Sequence, residues 1–166
     1  MSEVARGEDR SSSSPQEAGD GAALSGLDIM LGIKDGTIPP PPMASLIGFS
    51  CVIAEVGLVA MRLEYNAALE NSMRMLHGAA AAAMLDTAMG AAAHTTLPAG
   101  SGVVTLDLTL TYLRPVTAQD TPVIATGRVV NEGRRTIYVV GELRDQRDRL
   151  MAHAVGNFST IGRRHS

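Results

Sequence analysis

The sequence predicts an α+β fold in which an antiparallel sheet wraps around one long central helix. Three observations carry this. Residues 77–95 are apolar almost throughout, mostly Ala with Met84, Leu85 and Met89, as a helix buried on all sides requires. Two strand-like runs precede that segment and four follow it, the later ones separated by turn residues. The small side chains along the helix let a curved sheet approach it closely, so the layers are one helix and one sheet.

The elements follow in order. Residues 27–34 form a short helix that ends at Asp35-Gly36. The prolines at 39–42 impose an extended segment, and 43–48 make a helical turn. Strands at 49–55 and 58–65 meet at Val56-Gly57, and 67–74 is loop. After the central helix, residues 103–113 alternate. Val104, Leu106, Leu108, Leu110 and Tyr112 fall on one face, and Thr105, Asp107, Thr109 and Thr111 on the other. That pattern predicts a strand buried on the first face. Arg114-Pro115 ends it. Strands at 122–130, 136–144 and 150–161 are joined by Asn131-Glu132-Gly133 and by the charged turn at 145–149.

At 166 residues the chain is one domain with a usable core. Residues 1–25, with serines in a row at 11–14, are expected to be a disordered tail, leaving a single domain over 26–166. The chain has 17 acidic and 14 basic residues, and five of the acids and two of the bases lie in 1–22. The remainder is therefore balanced, with no basic face for nucleic acid. Cys51 is the only cysteine, so no internal disulfide forms, and it is expected to be a small buried hydrophobe on a strand. The tail lacks the apolar core of a signal peptide. The apolar run at 75–93 is Ala-rich and carries Asp86 near its centre, which argues against a membrane span. A cytoplasmic protein is expected. No His, Cys, Asp or Glu cluster has metal-ligand spacing, and no glycine loop suits a phosphate. No metal and no cofactor are expected.

Asp86 is the candidate for chemistry on this helix. A carboxylate inside an apolar helix loses water, at a cost of several kcal/mol unless it is partnered or protonated. It is either a reactive group or a structural acid bonded to a neighbouring hydroxyl or backbone group. At the other end of the helix, the first-turn N–H groups lack helical partners and carry partial positive charge. They are ready to receive a developing anion.

The order of elements and the spacing Asn71, His77-Gly78, Asp86, with Leu113-Arg114-Pro115 downstream, resemble the hotdog-fold acyl-CoA thioesterases of the phenylacetate-degradation type. The resemblance covers about residues 36–161. It implies hydrolysis of an acyl-CoA thioester to free acid and coenzyme A, with no cofactor beyond the coenzyme A of the substrate. It also implies roles. The Gly78 N–H serves as oxyanion donor, His77 and Asn71 position the thioester, and Asp86 is general base or nucleophile. Thr105 matches a hydroxyl that orients water, although a regular strand would put it on the polar face with Asp107. Ala79 stands where the family has a second Gly, and Ser72 and Arg74 where it has Pro and Gly. Ala79, Arg114, Arg134 and Arg135 are candidates for substrate contact, the arginines through coenzyme A phosphates.

Helix geometry adds a constraint. Gly78 and Asp86 are eight residues apart, about 12 Å along the axis, whereas reacting atoms must come within about 3–3.5 Å. His77 and Asp86 point to opposite faces. One helix cannot bring both ends to one carbonyl, so the site is expected to pair the helix start of one subunit with Asp86 of another, in a homodimer or a dimer of dimers. Two alternatives remain. One is a non-catalytic acyl-CoA-binding module. The other is a hotdog enoyl-CoA hydratase or dehydratase, which ordinarily adds a His close to the acid.

Overall fold

The computed structural model describes residues 23–162. The elements run α1 (Gly26–Asp35), α2 (Pro42–Ile47), β1 (Phe49–Glu55), β2 (Leu58–Leu63), α3 (Gly78–His94), β3 (Ser101–Tyr112), β4 (Val123–Glu132), β5 (Thr136–Arg144) and β6 (Leu150–Gly162). All six strands join one antiparallel sheet in the order β1-β2-β4-β5-β6-β3. The tail expected over 1–25 lies outside the described residues except at its last three positions. Ser25 is not tail: it caps α1, exchanging bonds with Asp28 in a capping box. Gly36 closes α1 in the left-handed conformation, where the absence of a Cβ removes the steric penalty.

The central helix α3 lies in the concave face of the sheet. Its Ala80, Ala81, Met84, Leu85, Ala88, Met89, Ala92 and Ala93 are buried. They pack with Val123, Ile137, Val139, Leu143, Met151 and Phe158 from the strands. The approach is close at Gly127 of β4, where a Cβ would stand 2.4 Å from the carbonyl oxygen of Ala88. Only glycine lets the strand pass over the helix there.

One element departs from its sequence pattern in a way that builds the site. Residues 101–112 do form a strand, but its register against β6 shifts between Thr105 and Asp107. Leu106 is the extra residue of a bulge, and such an insertion turns the alternation over. The apolar face expected from the pattern is therefore split. Val104 and Leu106 are exposed, at 43% and 57%, whereas Leu108 and Leu110 pack on the core together with Val103. Thr105 consequently reaches α3, where it bonds Asp86 while staying exposed, instead of sharing a face with Asp107 as a regular strand would have it.

Candidate active site

The segment leading into α3 is held in shape before the helix begins. Leu76 N–H donates to Val116 O at 2.8 Å and His77 N–H to Leu69 O at 2.7 Å. Asn71 closes the turn upstream. Its Oδ1 accepts from the N–H of Met73 and of Met75, and its own N–H donates to Met75 O. Arg74 takes φ 59°, in the left-handed region that glycine would occupy without strain. Its guanidinium bonds to Glu70, which also accepts from the Tyr65 hydroxyl. The substitutions at Ser72 and Arg74 thus leave a closed turn, with the Asn71 side-chain NH₂ unpaired among the described residues.

His77 is the N-cap of α3. Its Nδ1 accepts from Ala79 N–H at 3.0 Å. In the neutral ring this bond puts the proton on Nε2. The same bond occupies the amide of Ala79, and Ala80 N–H donates to His77 O. Among the described residues, the Gly78 N–H has no acceptor. It is the free donor at the positive end of the helix. Tyr112 steadies this residue: its hydroxyl donates to Gly78 O at 2.7 Å. Burial raises the Tyr112 pKa, which keeps the phenol protonated and able to donate. Asn71, Gly78, Tyr112 and Arg114 share the lining of a cavity of about 330 Å³.

Asp86 lies two turns further along α3. It is half-buried, so the expectation of a carboxylate stripped of water is corrected: the helix side that carries it faces a cavity. Thr105 donates its hydroxyl to Asp86 Oδ1 at 2.8 Å. Among the described residues Oδ2 has no partner. The cavity beside it, about 290 Å³, is roofed by α1 through Ile29, Met30 and Ile33. His94 and Cys51 reach the same cavity, but His94 Nε2 is engaged with Ser101 O and Cys51 Sγ with Ile53 O. Cys51 is buried, as its sequence context implied, and burial pushes its thiol pKa up, which disfavours the nucleophilic thiolate.

Within one chain, then, the candidate residues separate. Asn71 and Gly78 share one cavity; Asp86, with Thr105 bonded to it, borders another. His77 and Ala79 face a third hollow, with Met43 and Leu69. Arg114 lies beside Gly78 and donates to Leu150 O at 2.6 Å. Arg134 and Arg135 are exposed between β4 and β5, at the opposite end of β5 from the Leu150 turn, and the chain does not bring them to Arg114. The sequence did not single out Tyr112 or the α1 residues. The signal for Tyr112 was present, since it belongs to the same phase as Leu108 and Leu110. The part played by α1 depends on a docking that no local pattern encodes.

Among the described residues, no group of three or more His, Cys, Asp and Glu could hold a metal ion, and no helix is long and apolar enough to cross a membrane.

Known proteins match this architecture. Residues 73–152 match the model of the Thioesterase superfamily. A conserved protein of Pseudomonas aeruginosa, PA5202, is 31% identical. The match covers 74% of this chain and 95% of that one, with a TM-score of 0.69. A Streptococcus mutans protein, smu.793, whose structure was determined with acetyl-CoA bound, is 26% identical. It covers 70% of this chain and 91% of its own, with a TM-score of 0.64. The PaaI protein of the Escherichia coli phenylacetic acid degradation operon, 22% identical, shares the fold. That match covers 80% of this chain and 94% of PaaI, at a TM-score of 0.71. By family match, identity and fold, the chain belongs to the thioesterase superfamily, and its sheet around a single helix is the hotdog fold.

Proposed function

We infer that the protein hydrolyses acyl-CoA thioesters in a site shared between two copies of the chain. The observation that carries this is the separation of the two reactive groups. The free Gly78 N–H and the Asp86 carboxylate border different cavities at opposite ends of a stretch of helix about 12 Å long. Each is half of a hydrolytic site, and a two-fold axis can join the halves. The edge strand β3 is suited to that contact. Among the described residues it pairs only with β6; it is twelve residues long and exposes Val104 and Leu106. Antiparallel pairing of two β3 strands would set the Gly78 end of one helix beside the Asp86 end of the other. Val104 and Thr136 both pair with Ser159, so Arg134 and Arg135 lie near the start of β3, whereas Arg114 follows its end. The same pairing would bring Arg134 and Arg135 of one copy toward Arg114 of the other, a basic set for coenzyme A phosphates.

In this reading the Gly78 N–H of one copy stabilises the oxyanion, with Asn71 donating beside it. Asp86 of the other copy, oriented by Thr105, activates water or attacks the carbonyl carbon. His77 acts through its cap, which holds the first turn so that the Gly78 N–H points outward. That smu.793 holds acetyl-CoA supports the choice of thioester. The hydratase alternative is less favoured, because His94, the histidine that shares the Asp86 cavity, already engages Ser101 O.

The test mixes two inactive variants. Asp86→Asn removes the acid. Gly78→Pro removes the N–H at the first helical position, where proline is accepted, and His77 already has the extended ψ of 133° that a residue before proline takes. Because a Cβ there stands 3.0 Å from the Tyr112 hydroxyl, the variant is first shown to fold by its circular dichroism spectrum and melting temperature. After subunits are exchanged, about half the dimers are mixed, each with one intact site, so roughly a quarter of wild-type thiol release should return. No recovery in mass-verified mixed dimers would place the site within one chain.

A further inference from the structure

We propose that the cavity between α1 and the Asp86 side of α3 receives the acyl group, and that it selects an unsubstituted hydrocarbon acyl group of moderate length, aliphatic or aryl. This rests on the thioesterase reading above. Asp86 and Thr87 bring polar atoms to the α3 wall, where the thioester carbonyl must lie for Asp86 to act. The opposite wall is α1, which presents Ile29, Met30 and Ile33, with Pro40 and Pro41 beside them. An acyl group entering with its carbonyl at Asp86 therefore sends its far end into hydrocarbon. A carboxylate or hydroxyl at that end would be desolvated with no cation to meet it: the one histidine that reaches the cavity, His94, has its Nε2 held by Ser101 O. The cavity, about 290 Å³, is at the small end of ligand sites, so chain length is limited. Its roof is well seated. Ser25 and Gly36 cap α1 at both ends, and Gly26 packs so tightly on α3 that a Cβ would stand 2.0 Å from His94 O.

Two measurements on the full chain separate this proposal from the hydrolysis on which it rests. The first is thiol release from acetyl-, butyryl-, hexanoyl-, octanoyl-, phenylacetyl- and succinyl-CoA. The second is calorimetric binding of S-ethyl-, S-butyl-, S-hexyl- and S-octyl-CoA, thioethers that cannot be hydrolysed. Each added methylene should tighten thioether binding about fourfold until the cavity is filled. kcat/KM should climb along the acyl series in parallel, with phenylacetyl-CoA accepted. Succinyl-CoA should fall below butyryl-CoA, its carbon-matched counterpart without the distal carboxylate. Ala91→Phe fills the cavity from the rigid helix and should flatten the binding gradient. Ile33→Ala enlarges it from the roof and should move the plateau to longer chains, a change that misfolding cannot imitate. Thiol release without any chain-length gradient in thioether binding would overturn the acyl cavity and leave the hydrolase. A gradient that responds to Ala91→Phe, without thiol release from any thioester, would keep the cavity and overturn the hydrolase. Thioethers that bind alike, or a gradient that neither variant changes, would overturn the proposal whether or not hydrolysis is seen.

Discussion

At the scale of the residue, two groups account for the candidate chemistry, the Gly78 N–H and the Asp86 carboxylate, and three neighbours prepare them. His77 occupies the amide of Ala79 and leaves that of Gly78 free. Tyr112 holds the Gly78 carbonyl, so the turn that presents the free N–H is tied to the end of β3. Thr105 occupies one Asp86 oxygen and leaves the other for water or substrate. Asp86→Asn preserves the shape of the side chain and removes the base. Thiol release should fall roughly 10²–10⁴-fold, with the melting temperature nearly unchanged. Near-normal turnover in the folded variant would remove Asp86 from the mechanism. Arg74 belongs to the same scale. At φ 59° a β-branched side chain is far more strained than Arg, so Arg74→Val should destabilise by about 1–2 kcal/mol, whereas Arg74→Gly should be tolerated. Denaturant midpoints of the two variants would show whether the backbone at that turn matters.

At the scale of the element, the bulge in β3 matters most, because it turns Thr105 to the helix and Val104 and Leu106 to the open edge. The turn between β5 and β6 is fastened differently, through charge. Asp145 is buried and accepts from the N–H groups of Arg147 and Arg149 and from the Arg149 guanidinium, which also reaches Asp120. Burial works to raise the Asp145 pKa, but these donors outweigh it and hold the carboxyl below the usual range. Asp120 is lowered in the same way: burial opposes, and the Thr117 and Arg149 donors prevail. A depressed folded-state pKa contributes stability above the ordinary Asp value of about 3.9 and loses it as pH falls through the folded value. The melting temperature should therefore hold at neutral pH and drop below about pH 4. Asp145→Asn should lower it at neutral pH and shallow the acid decline. An unchanged acid slope in that variant would show that other carboxylates carry the transition.

At the scale of the whole molecule, the proposed assembly accounts for the open β3 edge, the two half-sites and the scattered arginines together. It predicts that activity and mass move together. Leu106 is 57% exposed on that edge, outside both cavities. Leu106→Lys puts a charge where two β3 strands would meet, a device that blocks edge pairing. The variant should sediment as a monomer and lose thiol release, with a circular dichroism spectrum like that of the parent. A monomer that retains full activity would contradict the shared site.

The sequence by itself determined the fold class, the strand count and the order of elements. Hydrophobic periodicity, turn residues and the length of the Ala-rich run are local signals. It also determined that Gly78 and Asp86 cannot meet within one chain, because helix rise is a constant of the backbone. Tertiary structure decided which face Thr105 shows, since the bulge arises from the pairing of β3 with β6 and leaves no mark in the alternation of residues 103–113. It decided that Arg74 could stand in for a glycine, because Glu70 and the surrounding bonds hold the turn closed. It decided, too, that α1 roofs the Asp86 cavity. That depends on the contact of Gly26 with the far end of α3, residues 68 positions apart, which no window along the chain contains.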